Sequence, residues 1–423
     1  IFKLSLQIPY MVWKALIDSV YLHLDLQNMP IKTKISLENL EVAFASKSNT
    51  ELRKMYLIFA TMNNNTAVKL GIKMANLAFA INFPIKGLMK KTMFGHFCGG
   101  ESIEDCQKTV DELTAFNIGT ILDYSVEGKG NEASYEATKN EILRTIERSA
   151  GDKNLPFAVF KVTGLGSYEV MTKVQEGKTL NSKEKIAFEN LKKRVDELCN
   201  AAYQAKTKIL VDAEESWFQD VIDDLAYAAM EKYNMEDCIV YNTYQMYRHD
   251  MLERLKAAKA VAAHKGYKFG AKLVRGAYME KERERAKSKG YKSPIQPDKA
   301  SSDRDFDAAL KFCIENNGHV SLVAGSHNEK SNLLLTKLVE EANINPNDKS
   351  VYFAQLYGMS DNISFNLANA GFNVVKYVPY GPVEKVMPYL GRRAEENTSV
   401  SGQSSREFDL IKKEIARRRS VNN

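Results

Sequence analysis

The sequence predicts an α/β protein built on a (β/α)8 barrel, preceded by an N-terminal helical arm. Three observations predict it. From residue 120 onward, eight short apolar runs each give way to a polar segment of helical period. Several of the runs are nearly continuous, as parallel strands buried on both faces require. No Pro-rich or Gly/Ser-rich linker divides residues 120–400, so the repeats belong to one unit.

Along the chain, residues 1–29 are an extension of uncertain role. Residue 1 is Ile, Met29-Pro30 is a plausible protein start, and the segment lacks the basic region and small-residue site of a secretory signal. Residues 30–115 read as the helical arm. Ser36-Leu-Glu-Asn39 can cap an amphipathic run, and Ser48-Asn-Thr-Glu51 has capping-box spacing. The most apolar stretch, Met74 to Met89, is broken by Asn76, Asn82, Pro84 and Lys86. It falls short of the roughly 18 apolar residues of a membrane span, and reads as packed against protein or lying at a surface.

Residues 116–418 form the predicted barrel domain. Its strand candidates are Thr120–Val126, Pro156–Thr163, Lys208–Glu214, Cys238–Tyr244, Phe269–Gly276, Val320–Ser326, Ser350–Leu356 and Asn373–Pro379. Residues 170–205 read as a long, charged, solvated helical insertion after the second strand. The alternative architecture is an open doubly wound sheet. Its one candidate dinucleotide fingerprint, at Gly164-Leu-Gly166, has Glu169 where a third glycine belongs.

Composition excludes several classes of function. The net charge of +6 is modest and the charges are interspersed, so nucleic acid is not an expected partner. The weakly basic balance is compatible with peripheral contact with anionic lipid. Cys98, Cys106, Cys199, Cys238 and Cys313 are odd in number and fit no CxxC pair. That pattern reads as a reduced, cytoplasmic protein without a disulfide framework or zinc site. No GxSxG elbow, HExxH or P-loop is present, and the six histidines have no metal-ligand spacing.

In a barrel, residues at the C-terminal strand ends face the active site. Here those ends carry Lys161, Asp212, Tyr244-Gln245, Lys272, Arg275, Tyr278, Ser326-His327-Asn328, Gln355-Leu356 and Tyr377. After the last strand come Arg392 and Arg393, whose guanidinium forks suit a small carboxylate. Each has a bland reading. Arg392-Arg393 could be a solvated pair, Lys161–Asp212 a structural ion pair, Gln245 a helix cap, and Tyr278 and Tyr377 plain packing. Alone, His327 reads best as a satisfied, partly buried histidine. Buried charge is costly unless paired, so a polar ligand explains a ring of Lys, Asp, Gln, Lys, Arg, His and Tyr at one mouth better than separate accidents.

Six motifs then occur in order: Tyr241-Asn-Thr-Tyr-Gln245, Lys272-Leu-Val-Arg-Gly-Ala-Tyr278, Ser326-His-Asn328, Gln355-Leu-Tyr-Gly-Met359, Tyr377-Val-Pro-Tyr-Gly381 and Tyr389-Leu-Gly-Arg-Arg393. Ile121-Leu-Asp-Tyr-Ser-Val-Glu127 and Val211-Asp-Ala-Glu-Glu215 stand upstream. Over roughly residues 35–418 the chain resembles the monofunctional proline dehydrogenases, of the mitochondrial-type branch and its bacterial relatives.

The resemblance implies a distorted, TIM-like (β/α)8 barrel holding FAD non-covalently. L-Proline would lose a hydride from C5 to flavin N5, giving Δ1-pyrroline-5-carboxylate, and a membrane quinone would take the electrons. A separate pyrroline-5-carboxylate dehydrogenase would be the partner for the product. The protein would lie at the inner face of the membrane, or on the matrix side of a mitochondrion in a eukaryote.

By the same resemblance, Asp212, Lys272 and Tyr377 are the catalytic residues. Lys161, Arg392 and Arg393 hold the substrate carboxylate, with Asp212 beside them. Tyr278, Leu356 and Tyr377 pack around the ring. The cofactor contacts are Ala213, Gln245, Lys272, Arg275, Gly276, Ala277, Ser326, His327, Gln355 and Glu396, and no metal is implied. Lys272 stands where many bacterial members have Arg, which keeps the charge but loses the planar fork.

Tyr377 favours proline over hydroxyproline, because in this family an aromatic there crowds C4 of the ring. Two other readings remain open: a non-catalytic binding relative, and an unrelated barrel enzyme acting on a phosphorylated carboxylate.

Overall fold

The computed structural model describes residues 35–62, 65–81, 83–126, 130–399 and 403–421. The predicted extension at 1–29 lies outside them. Eight parallel strands close into a barrel in chain order. They are β1 (Ile118–Tyr124), β2 (Phe157–Lys161), β3 (Lys208–Asp212), β4 (Val240–Gln245), β5 (Phe269–Val274), β6 (Val320–Gly325), β7 (Val351–Leu356) and β8 (Val374–Tyr380). Five of the eight predicted runs contain their strand, and the other three overlap it: β1 begins two residues before its run, and β4 and β8 each end one residue after theirs. The ends differ by one or two residues, because ladder pairing stops before the apolar composition does: Thr163, Glu214 and Gly276 lie beyond their strands.

Strand alternation sorts the side chains. Outward positions such as Phe160, Val211, Leu273 and Phe353 pack under the helices. Inward positions fill the barrel itself with Ile121, Val159, Leu210, Val323 and Val375. At the N-terminal end, Phe157, Tyr241 and Tyr352 surround the Lys208 ammonium at 5.5, 5.9 and 5.0 Å. Aromatic faces partly replace the water that this cation has lost. The polar residues gather at the opposite end.

Local signals set the helix boundaries. Asn131 and Asn181 each accept a bond from the third residue of the following helix, and Ser134 and Glu184 answer as capping boxes. Ser48 and Glu51 form the predicted box at the start of the helix Asn49–Met62. Gly266 and Gly290 end their helices at φ +80° and +73°.

One expectation is corrected. Residues 170–205 are not a solvated insertion. The helix Ser182–Gln204 buries Leu191, Val195, Leu198, Cys199 and Ala202 in the main core. It is the crossover between β2 and β3. Its charged residues occupy the outer face of an amphipathic helix, which is why composition alone read as solvent-exposed.

The arm does not stand apart. Phe44, Leu52, Phe59 and Phe97 share a second core with Val383, Val386, Leu390 and Ile411 from the last two helices, Val383–Ser399 and Gln403–Val421. The arm and the last two helices therefore share one core. This packing seats the helix that carries Arg392 and Arg393.

Candidate active site

The inward positions at the C-terminal strand ends form one linked set. Lys272 on β5 donates to Asp212 Oδ1 of β3 at 2.5 Å and to the Tyr377 hydroxyl of β8 at 2.6 Å. The same ammonium lies 4.4 Å from the Tyr377 ring centre. Tyr377 Oη is 3.4 Å from Asp212 Oδ1. Lys161 on β2 stands 3.3 Å from Asp212 Oδ2 and 3.5 Å from Asp123 Oδ1. The β2–β3 register puts Lys161 directly opposite Asp212.

The set is almost dry. Asp212, Lys272 and Tyr377 are buried, while the Lys161 side chain is 35% exposed. Burial opposes the charged form of Asp212, yet Lys272 and Lys161 hold its carboxyl below the usual carboxylate range. Burial pushes the Lys272 ammonium below its ordinary value, with Asp212 pulling the other way. Burial also acts against the Lys161 ammonium, but Asp123 and Asp212 together carry it above the lysine range. The Tyr377 phenol is driven well up, first by burial and then by Asp212 and Asp123, so it stays a neutral donor. Two ammoniums, two carboxylates and a phenol thus make a fixed polar floor.

The helix Val383–Ser399, packed in the second core, carries the two arginines. Arg393 is buried, with its guanidinium 5.3 Å from the Tyr389 ring centre. Arg392 lies close enough to Tyr278 to oppose the upward shift of that phenol, which burial, Glu214 and Glu215 cause. Arg393 adds to the cations that, after burial, depress His327. The two arginines therefore influence side chains that follow β5 and β6 at the same end of the barrel. Leu356, at the end of β7, packs against the barrel interior beside Tyr377.

A second group occupies the ends of β4 to β6. Gln245 points inward and donates to the Glu214 carbonyl at 2.6 Å. Arg275 spreads its fork over Asp303 at 2.7 Å, Ser326 Oγ at 2.9 Å and Ser331 Oγ at 2.9 Å. Gly276 has φ +127°, and a Cβ there would lie 2.5 Å from the Tyr247 ring. Gly276→Ala should therefore destabilise the protein by about 2 kcal/mol or more, because both the backbone and the space forbid a side chain. Thermal melts of the variant check this.

Ala277 is exposed and Ala213 half-buried beside this group. His327 Nδ1 is 2.9 Å from Ser360 Oγ, and its pKa falls to about 3 through burial and the nearby Lys376, Arg393 and Arg275. The imidazole is neutral at any working pH.

Two of the expected site positions are placed differently. Gln355 is an outward residue of β7. Its amide donates to the Ser326 carbonyl at 3.1 Å and its oxygen accepts from Ser364 at 2.9 Å, so it braces the strand–helix layer and not the mouth. Tyr244 also points outward, packing on Phe269 and bonding Tyr227 at 3.2 Å. Strand parity separates both from their inward neighbours, Leu356 and Gln245. The Glu396 side chain lies outside the described residues.

Three residues of the site region had no role assigned from sequence. Asp123 is inward on β1, two positions after the interior Ile121, and is the second carboxylate on Lys161. The same alternation could have found it. Lys376 on β8 is buried and outward, 2.9 Å from Asp361, which ties the turn after β7 to the barrel. Glu214 follows β3 and accepts from Thr163 N at 2.9 Å and Thr163 Oγ at 2.5 Å.

Burial lifts the Glu214 carboxyl to about 7 from an ordinary 4.5, despite those donors. The folded state keeps its proton up to about pH 7, whereas the unfolded chain releases it near 4.5. Stability should fall as pH rises through that window, by on the order of 3 kcal/mol. Glu214→Gln should remove this part of the pH dependence, read as Tm against pH.

The family model described as proline dehydrogenase matches residues 106–406. A curated protein named "Proline dehydrogenase 1, mitochondrial" from Dictyostelium discoideum is 32% identical over 421 residues, covering 89% of this chain and 74% of that protein. A "Hydroxyproline dehydrogenase" from Xenopus laevis is also 32% identical, covering 89% of this chain and 88% of that one.

Among solved structures, proline utilization A from Bdellovibrio bacteriovorus, inactivated by N-propargylglycine, aligns with a TM-score of 0.67 at 20% identity. It covers 93% of this chain, and the chain spans 42% of that protein's length. At that identity the likeness is one of fold.

Proposed function

The chain belongs to the proline dehydrogenase family, and on that premise we propose that it oxidises L-proline to Δ1-pyrroline-5-carboxylate with bound FAD, in the first step of proline catabolism. One observation supports the reading: Lys161, Asp212, Lys272 and Tyr377, from four strands, interlock at one barrel mouth.

The residues present fit a flavin dinucleotide. Gly276 takes a φ no ordinary side chain tolerates, and beside it Arg275 supplies a positive charge and Ser326 a hydroxyl suited to phosphate. Gln245, Lys272, Arg275, Gly276, Ala277, Ser326 and His327 would hold the group, with Ala213 and Glu396 at its edges. Bound FAD would supply the hydride acceptor, and a membrane quinone the onward electron sink.

The chain's own residues do the rest. Arg392, Arg393 and Lys161 would grip the substrate carboxylate with charge-assisted bonds. Asp212 holds both lysines in place, so neither ammonium has to reorganise when substrate arrives. Lys272 would place a buried cation where negative charge builds on the reduced cofactor. Tyr278, Leu356 and Tyr377 would shape an apolar slot for the ring and exclude water.

Proline is favoured over hydroxyproline because Tyr377 is pinned by Lys272 and cannot swing away to admit a C4 hydroxyl. A turnover rate on trans-4-hydroxyproline equal to that on proline would reverse this choice. A separate pyrroline-5-carboxylate dehydrogenase would take up the product. The mitochondrial-type relatives favour a matrix location in a eukaryote.

The test is an absorption spectrum of the purified protein before and after anaerobic L-proline. Flavin bands that bleach support cofactor, substrate and redox step together. A colourless protein that FAD cannot reconstitute would sink the proposal.

A further inference from the structure

The helix Asn65–Ala80 is apolar on two opposite sides. Val68 and Ala75 are buried in the core shared with the helix Val383–Ser399. Leu70, Met74 and Leu77, with Ile81 just beyond the helix, follow at intervals of four, three and four residues. They form a stripe facing the other way and are 57%, 62%, 62% and 65% exposed. Phe83 and Leu88 continue it through the next turn and helix at 59% and 65%. Soluble surfaces scatter large apolar side chains singly, and an aligned set marks an interaction surface.

The charge around the stripe is equally biased. Between Glu51 and Glu101 the sequence has seven lysines and arginines and no aspartate or glutamate. The chain's net charge is +6, so everything outside this segment sums to one negative charge. Lys73 and Lys91 are exposed and have no acidic partner among the described residues. Lys86 and Lys90 pair with Glu384 and Glu101, which tie the rim to the body of the protein.

We propose that this face of the arm docks on an anionic phospholipid bilayer, with Leu70, Met74, Leu77 and Ile81 at acyl-chain depth and the lysines at the headgroups. Among the described residues no helix is long and apolar enough to cross a membrane, so the segment lies in the interface. A symmetric dimer through the same stripe would set the basic rim against itself, whereas anionic lipid neutralises it. The helix packs directly on the one bearing Arg392 and Arg393, so docking brings the barrel mouth beside the lipid. Resting on the function proposed above, this gives a lipid-soluble oxidant a short path to the site.

The test is co-flotation of the full chain with phosphatidylcholine vesicles, with and without about one-third phosphatidylglycerol. The unmodified chain should float with the anionic vesicles. The triple variant Leu70→Ser, Leu77→Ser, Ile81→Ser should partition at least about tenfold less. Lys73→Glu with Lys91→Glu should lose the preference for anionic over neutral vesicles. Dye-linked turnover of both variants should be unchanged, since all five side chains lie on the surface of the arm.

A chain that does not float, or a triple variant that floats as well as the original, overturns the proposal. A dimer that the triple variant converts to monomer without any vesicle binding also overturns it, and assigns the stripe to a second copy. Flotation needs neither proline nor turnover, so its failure is distinct from failure of the proposed reaction.

Discussion

Asp212→Ala should cost about 3–5 kcal/mol of stability and lower turnover by about two orders of magnitude or more. Asp212 is the single carboxylate shared by both lysines, at 2.5 Å from Lys272 and 3.3 Å from Lys161. Burial already pushes the Lys272 ammonium down, and Asp212 is the largest influence holding it up. Without that carboxylate the protein keeps a buried, unpaired cation or releases its proton, and either outcome spoils the floor of the site. Lys161 suffers less, because Asp123 still stands 3.5 Å away.

Asp212 also sets an acid limb. Its folded pKa lies below the ordinary 3.8, so the stability it contributes is complete above that value and lost as pH falls through the folded one. Denaturant melts at neutral and acid pH read both effects. A variant within about 1 kcal/mol of the parent at neutral pH would mean that the two lysines do not depend on Asp212.

Arg392→Met should raise the KM for proline by about 30- to 900-fold, the equivalent of about 2–4 kcal/mol for a lost charge-assisted pair. Met keeps the length and much of the apolar contact of the arginine stem, so the helix should stay seated. FAD content should be unchanged, because the residues expected to hold it, other than Glu396, lie at the ends of β3 to β6 and on the loops that follow them. Steady-state kinetics together with the flavin absorbance of the purified variant separate the two effects. An unchanged KM would remove Arg392 from the substrate site.

Much of the fold was legible because a strand buried on both faces must be apolar almost throughout. Runs such as Lys208-Ile-Leu-Val-Asp212 and Val320-Ser-Leu-Val-Ala-Gly325 therefore stand out from their polar surroundings. The helix Ser182–Gln204 was misjudged because its polar outer face dominates its composition while one narrow stripe carries its packing. Within the site, Lys161, Asp212, Lys272 and Tyr377 could be expected from their place at strand ends. Gln355 could not be sorted from Leu356 without parity, since a one-residue step turns a side chain from the axis to the helices. Asp123 went unassigned for the converse reason, being one residue short of a strand end that composition set too late.

By itself, the sequence determined the barrel, its strand order and the polar ring at one end, because local periodicity and composition encode them. Only the tertiary structure decided which of those polar groups touch. The bond from Lys272 to Tyr377 joins residues 105 positions apart, and the one from Lys272 to Asp212 joins residues 60 apart. No local pattern records such pairs. Closure of the barrel brings them together, and the arm, packed in a second core with the last two helices, fixes the helix that carries the arginines.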